Sequence, residues 1–426
     1  MLRPLLSSVL TKYAYLERRD RAFIKTLCEG VVERQMSLDY VIDQAASIKT
    51  SKMKGTIRQI IRMGAYQILY MDHVPDSAAV NEAVKLAAWK HMAALKGFVN
   101  GVLRGIIRLR DGGISYPDME TEYSCPYPVA AILREDLGDQ KAELVIRSLV
   151  EHPGLCLRTN AAKITVLELA ALLKKEGVEV TDMAGWESGD RTIQSTGDLP
   201  PGVLFAKNGG LNPAGSKSFN EGLYIIQDLS SQYAVWDLWK EYVNINHSKM
   251  DYINALDMCA APGGKSLYLA ELMGDKGRID ACDISEEKTE KIRENIARMG
   301  VSNIDTAIRD AVVYDGSLDE RYDIIIADLP CSGLGVMGRK VDIKYRVSPE
   351  GIDSLCKLQR EMADNAVRYL KPGGILLYSV CTLTDREGMR QREYLENKGL
   401  HKISERKFIQ GVDPCDGFYY ALMHKQ

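Results

Sequence analysis

Tyr252-Ile253-Asn254-Ala255-Leu256-Asp257-Met258-Cys259-Ala260-Ala261-Pro262-Gly263-Gly264-Lys265-Ser266 decides the fold of this chain. Tyr252–Leu256 is a largely apolar run that reads as a buried strand. Asp257 ends it, and Ser266–Met273 reads as a helix. Between them Pro262-Gly263-Gly264 forms a turn whose backbone N–H groups can approach a ligand, and the helix N-terminus favours that ligand's anionic end. This is the layout of a nucleotide-type site. The glycine spacing is not Gly-x-Gly-x-x-Gly, and no full phosphate-loop frame surrounds Lys265-Ser266, which argues against dinucleotide and triphosphate sites.

The same alternation continues along the chain. Arg278–Cys282, Tyr322–Ala327 and Gly374–Val380 read as further buried parallel strands, and Glu286–Arg298 and Ile352–Leu370 as helices. A doubly wound α/β sheet over residues 218–426 follows, closed by a last strand at Gly417–Met423, expected to be antiparallel. In such a sheet ligands bind where strand ends converge. Asp283 ends the second strand, where it would accept hydrogen bonds from ribose hydroxyls. Asp310 ends the next strand and would face an adenine edge. The plain alternative for each is capping of the following helix.

Towards the N-terminus the pattern changes. Residues 129–217 read as a small α+β unit, with a helix at Val166–Glu176 capped by Thr165 and strands at Val178–Val180 and Gly202–Ala206. Residues 111–128, rich in Gly and Pro, read as a linker. Residues 1–110 read as an all-helical bundle. Phe23, Leu27 and Val31 recur at helical spacing, as do Ile57, Ile61 and Ile68, with Gly64 between. Asp76 or Ser77 would cap a helix from Ala78 to Lys90, and Val99, Val102, Leu103 and Ile106 line a helix from Gly97 to Arg110.

Bulk properties exclude several classes. The 426 residues suffice for about three domains. No apolar run reaches the roughly 18 residues of a membrane helix. The Leu5–Leu10 run is too short for a signal-peptide core. Nine scattered cysteines without a Cys-x-x-Cys pair predict neither a disulfide scaffold nor a metal site, and fit a reducing cytoplasm. The net charge of −3 gives no global sign of nucleic acid. Two local clusters do. Arg18, Arg19, Arg21 and Lys25 read equally as a solvated helix face or a polyanion contact. Arg339, Lys340, Lys344 and Arg346 flank a candidate site and are expected to be functional.

That site is marked by two thiols. Cys331, in Asp328-Leu329-Pro330-Cys331-Ser332-Gly333, and Cys381, in Ser379-Val380-Cys381-Thr382, each sit where a buried strand opens into a turn. Cys28, Cys156, Cys282 and Cys356 fit the ordinary role of small hydrophobes. A free thiol of pKa about 8.5 is only about 3% ionised at pH 7, so a reactive one needs a basic neighbour, and Lys265 is the candidate.

At these residues the chain resembles the RNA cytosine-C5 methyltransferases that use S-adenosyl-L-methionine. The matching segments are Cys259–Lys265, Asp328-Leu329-Pro330-Cys331-Ser332-Gly333-Leu334-Gly335, Ser379-Val380-Cys381-Thr382 and Asp416-Gly417-Phe418-Tyr419-Tyr420-Ala421. Val74-Pro75, Ala79–Val84 and Gly97–Arg104 resemble the helical NusB-like RNA-binding domain. The fusion of the two is similar to the bacterial 16S rRNA cytosine-C5 methyltransferases of the RsmB type.

The resemblance implies a Rossmann-like methyltransferase core, with Cys381 as nucleophile and Cys331 assisting product release. It also implies that Cys259, Ala260, Ala261, Pro262, Gly263, Gly264, Lys265, Asp283, Asp310 and Asp328 bind the cofactor, and that residues 129–217 contact RNA. A thiolate adding to carbon 6 of cytosine makes carbon 5 nucleophilic toward an activated methyl group, and Asp328 is placed to hold the ring. The base must first be unstacked, at a cost of a few kcal/mol.

The chain departs from the family pattern at Leu329, at Gly338-Arg339-Lys340-Val341-Asp342 and at Glu387-Gly388, in loops expected to meet RNA. The expected partner is 16S rRNA, with no DNA, membrane or metal, acting as a monomer. Competing readings are a tRNA cytosine-C5 methyltransferase and a non-catalytic ribosome-assembly factor, which would bind cofactor without transferring methyl.

Overall fold

The computed structural model describes residues 2–151, 154–181, 199–207, 211, 213–246 and 252–426. Parts of the predicted 129–217 unit, namely 152–153, 182–198, 208–210 and 212, lie outside the described residues. The chain forms two compact units. The first comprises Met1–Glu135, Ile146–Glu151 and Met337–Arg346, the second Asp136–Val145, His152–Val336 and Val347–Gln426.

The first unit is helical, as its apolar spacing predicts. Its main helices run Leu2–Lys12, Arg18–Glu33, Gln35–Ala45, Gly55–Tyr70, Asp76–Trp89 and Lys96–Gly112. Ile57, Ile61, Val99, Val102, Leu103 and Ile106 form its core. Gly64 is small for a reason: a Cβ there would lie 2.8 Å from the Leu103 side chain. Neither Asp76 nor Ser77 caps its helix. Pro75 takes the N-cap position, and Asp76, the first helical residue, pairs with Arg110 at 2.8 Å. Residues 111–128, read as a linker, carry the short helix Met119–Glu122 and the buried Thr121, Ser124 and Cys125.

The basic cluster after the Cys331 loop also belongs here. Lys344 is buried, with its Nζ donating to the Glu33 carbonyl at 2.8 Å, and Arg346 pairs with Asp342. The expectation that Lys344 faces a ligand is therefore overturned, because it spends its charge on a helix C-terminus.

The second unit holds two sheets. The small one is antiparallel, with β1 (Leu155–Thr159), β2 (Val180–Thr181), β3 (Val203–Ala206) and β4 (Tyr224–Ile226) in the order β2-β3-β1-β4. The helix Val166–Lys175 packs on it, and Thr165 caps that helix in a reciprocal capping box with Glu168. The strand closing this sheet, β4, comes from beyond residue 217.

The large sheet contains β5 (Ile253–Asp257), β6 (Gly277–Asp283), β7 (Ile304–Ile308), β8 (Tyr322–Asp328), β9 (Leu370–Val380), β10 (Leu400–Phe408) and β11 (Phe418–Lys425). Their order is β10-β11-β9-β8-β5-β6-β7, with β5 to β9 parallel and β11 antiparallel to β9 and to β10. Side chains alternate between two cores. Ile324 and Ile326 face the helices Leu229–Ile245 and Gly264–Met273, while Ile325 and Ala327 face Pro349–Tyr369. Burying each such isoleucine contributes about 1.5–3 kcal/mol. The predicted doubly wound α/β fold is therefore present. The strand order reverses between β5 and β8, where a ligand crevice is expected.

Candidate functional site

Strand register brings the predicted residues to one edge. Asp257 ends β5 opposite Ile326 of β8, Asp283 ends β6, and Asp328 of β8 pairs with Ser379 of β9. Cys331 and Cys381 lie three and two residues beyond that last pair, so the chain turns out of the sheet with both thiols side by side. Their sulfurs are 3.2 Å apart. Gly335 N–H donates to the Cys381 carbonyl at 3.1 Å and the Gly335 carbonyl accepts from Gly417 N–H at 2.8 Å, which ties the Asp416-Gly417-Phe418 segment to the same place. No side chain fits at Gly335, because its Cβ would overlap the Gly417 backbone.

The cofactor loop runs from the end of β5 to the helix Gly264–Met273. Gly263 caps that helix with φ of +101°, a conformation that favours glycine. Asp283 is buried and holds the loop: Oδ2 accepts from Ala261 N–H at 3.0 Å, and Oδ1 from Ile284 N–H and Lys288 Nζ. Cys259 sits among the charges of Asp257, Asp283 and Asp328. Burial, followed by those charges, pushes its thiol well above the ordinary range, so it is no nucleophile. Ala260 is buried, and the Pro262 carbonyl accepts from Asn295 Nδ2 at 3.0 Å. Asp310 accepts from Val312 N–H at 3.0 Å and lies beside Met258 and Cys282. That bond is the turn-capping alternative, and it occupies only one oxygen.

Lys265 and Asp328 form the charged centre. Lys265 Nζ donates to Asp328 Oδ2 at 2.6 Å and to Ser231 Oγ at 3.2 Å, and lies 5.1 Å from the centre of the Phe418 ring. Ser379 Oγ donates to the other Asp328 oxygen at 2.8 Å. Burial works against the lysine charge. The Asp328 charge and hydrogen bond outweigh it and hold the ammonium above its ordinary value, with Cys381 adding to the effect. Lys265 thus lies within electrostatic reach of Cys381.

Cys331 is different. Its hydrogen bond to Cys381, its burial and the nearby charges of Cys381 and Glu387 push its thiol well up.

Several features here escaped the sequence reading, and Glu387, expected in a loop that meets RNA, is instead buried. Ser332 and Thr382, each following a thiol, have hydroxyl oxygens 2.7 Å apart, and Glu387 is buried beneath both. Asp257, read only as a strand end, is a buried carboxyl that accepts from Ser266 Oγ at 2.6 Å while its Oδ1 has no partner. Burial pushes it up to about 7. A carboxyl following a strand signalled Asp257, whereas nothing in the spacing signals the burial of Glu387.

Residues 245–423 match the family model described as 16S rRNA methyltransferase RsmB/F, and residues 2–108 match the NusB family. The chain is 33% identical to a probable ribosomal RNA small subunit methyltransferase B of Synechocystis sp., covering 88% of this chain and 80% of that one. A protein of the same description from Bacillus subtilis is 32% identical, covering 90% and 81%. The crystal structure of PH0851 superposes with a TM-score of 0.77 at 23% identity, covering 98% of this chain and 93% of that one. That of NSun6 from Pyrococcus horikoshii with SFG gives 0.56 at 23% identity, covering 70% and 98%. At these identities the two structures speak for the fold.

Proposed function

The chain belongs to the ribosomal RNA small subunit methyltransferase B family, and on that premise we propose that it methylates carbon 5 of a cytosine in 16S rRNA through a covalent bond to Cys381. It is an S-adenosyl-L-methionine-dependent rRNA methyltransferase. The observation that carries the covalent route is the pair of sulfurs 3.2 Å apart beside the Lys265–Asp328 pair.

The cofactor fits the residues present. A loop of small residues, Gly263 in a left-handed conformation and the buried Oδ1 of Asp257, which has no hydrogen-bond partner, suit it. When bound, S-adenosyl-L-methionine supplies an activated methyl group. Residues 259–265 would line it, Asp283 would take its ribose hydroxyls and Asp310 its adenine edge.

The chain's own residues do the rest. Lys265 favours the Cys381 thiolate, whose sulfur adds to carbon 6 of the cytosine and makes carbon 5 electron-rich. Asp328 offers acceptor oxygens to the cytosine amino group. After carbon 5 is methylated, its proton passes to water, the carbon 6–sulfur bond breaks and its electron pair returns to Cys381. Cys331 assists by donating its S–H to the departing sulfur. The first helical unit and the small sheet are proposed to contact the RNA.

The test is covalent trapping. Wild type, Cys331→Ser and Cys381→Ser are incubated with S-adenosyl-L-methionine and small-subunit rRNA, and denaturant-resistant adducts are counted. Adduct accumulation by Cys331→Ser, with neither adduct nor methyl transfer by Cys381→Ser, is expected. The reverse pattern would make Cys331 the nucleophile. Cofactor binding with no transfer to any small-subunit rRNA would favour an assembly factor.

A further inference from the structure

Glu387 has no part in the chemistry described so far. Its carboxylate is fully buried, and among the described residues no Lys or Arg pairs with it. A buried carboxylate without a cation is costly unless hydrogen bonds replace its water. Five donors do so. Oε1 accepts from Ser332 N–H at 2.7 Å and Gln359 Nε2 at 3.2 Å. Oε2 accepts from Ser332 Oγ at 2.6 Å, Thr384 Oγ1 at 2.9 Å and Thr382 Oγ1 at 3.2 Å. Ser332 follows Cys331 and Thr382 follows Cys381, so one carboxylate grips the residue after each thiol.

We propose that Glu387 is the positioning residue of the two-thiol pair: it locks the Cys331 loop to the Cys381 loop, and its charge keeps the proton of the pair on Cys331. This rests on the reading of Cys381 as nucleophile and adds the cause of its selection. Two sulfurs in equivalent turns would share one proton without preference. Here Glu387 accepts from the backbone N–H next to Cys331 at 2.7 Å and reaches the residue after Cys381 only through its side-chain hydroxyl at 3.2 Å, while the Lys265 charge acts on Cys381. A negative neighbour disfavours a thiolate and a positive one favours it. The Cys331 thiol is accordingly pushed up, with Glu387 among the causes after its hydrogen bond to Cys381 and its burial.

Gln359 extends the clamp. Its Nε2 also donates to the Pro330 carbonyl at 2.9 Å, so the backbone on both sides of Cys331 is held. Tyr378, whose hydroxyl donates to the Glu387 carbonyl at 2.6 Å, fixes the carboxylate's own backbone against β9. Displacing such a frame by about 1 Å can cost a reaction about 100-fold.

The test reads the thiols directly in the full-length chain. Iodoacetamide labelling of Cys331 and Cys381 is quantified by mass spectrometry of their peptides from pH 6 to 9. Diamide-driven formation of the Cys331–Cys381 disulfide is timed in parallel. Glu387→Gln removes the charge with little change of shape. It is expected to raise Cys331 labelling relative to Cys381 by about tenfold, the effect of about one pH unit on a thiol.

Thr384→Ala keeps the charge and removes one donor. It is expected to slow disulfide formation without changing the labelling ratio, and it tests the clamp even if Glu387→Gln does not fold. A wild-type labelling ratio in Glu387→Gln, or an unchanged disulfide rate in Thr384→Ala, would overturn the proposal. If the ratio shifts as expected while wild type transfers no methyl group, the functional reading fails and the role of Glu387 stands.

Discussion

Replacing Lys265 by Met removes one charge and keeps the stem against Phe418. The structure sets the size of the effect. At 2.6 Å the Lys265–Asp328 attraction amounts to about 6 kcal/mol at an effective dielectric of about 20. Much of that repays desolvation, since the lysine side chain is only 10% exposed. Asp328, at 32%, keeps access to water once its partner is gone, so the net loss of stability should be about 2 kcal/mol.

The effect on chemistry is separate. Without that cation nearby, the Cys381 thiolate loses electrostatic support, and a rise of one unit in thiol pKa cuts the thiolate fraction about tenfold at neutral pH. The assay is the rate of adduct formation against pH, measured in a Cys331→Ser background so that adduct accumulates. Lys265→Met should shift the profile upward by about one pH unit and recover most of its rate at high pH. A uniformly depressed rate with an unshifted profile would refute the argument and reduce Lys265 to a structural strut.

Two further variants test buried charges, one in each unit. Asp257 has its carboxyl pushed up to about 7, so the folded protein holds a proton that the unfolded chain gives up near pH 4, and stability falls as pH rises between those values. Asp257→Asn should flatten that fall, worth at most about 4 kcal/mol, in urea unfolding at pH 4.5 and 7.5. Equal slopes in the two proteins would contradict a neutral buried carboxyl. In the first unit, burial pushes Lys344 down to about 8, so the folded state carries a penalty below pH 8 that fades as pH rises toward about 10.5. Lys344→Met loses the bond to Glu33 worth about 1 kcal/mol, yet should melt higher than wild type at pH 7 by about 2 kcal/mol of stability, with the gap closing at alkaline pH. A lower melting temperature at pH 7 would mean that the hydrogen bond outweighs the buried charge.

What the sequence disclosed follows from where each element sits in the fold. β5, β6, β8 and β9 are covered on both faces, so each carries an apolar run that stands out from its surroundings. β10, Leu-His-Lys-Ile-Ser-Glu-Arg-Lys-Phe, is an edge strand paired only with β11, and its charged residues hide it among helices and loops. The cofactor loop was legible because glycine, proline and a strand-end carboxylate are local signals. Lys344 was misread because a count of basic residues carries no information on which of them turns inward. Residues 337–346 leave the thiol loop and fold into the other unit, a choice made by long-range packing.

The site itself shows the same division between local and distant causes. That Cys331 and Cys381 meet depends on the Asp328–Ser379 register of two neighbouring strands, and the strands could be read. The proposed difference between the two sulfurs depends on Lys265, from the helix after the β5 loop, and Glu387, from the turn after β9. Neither stands close to Cys331 in sequence, and neither motif alone distinguishes an attacking sulfur from an assisting one. On the proposed reading the distinction is electrostatic, and it needs the fold to bring Lys265 and Glu387 to the pair.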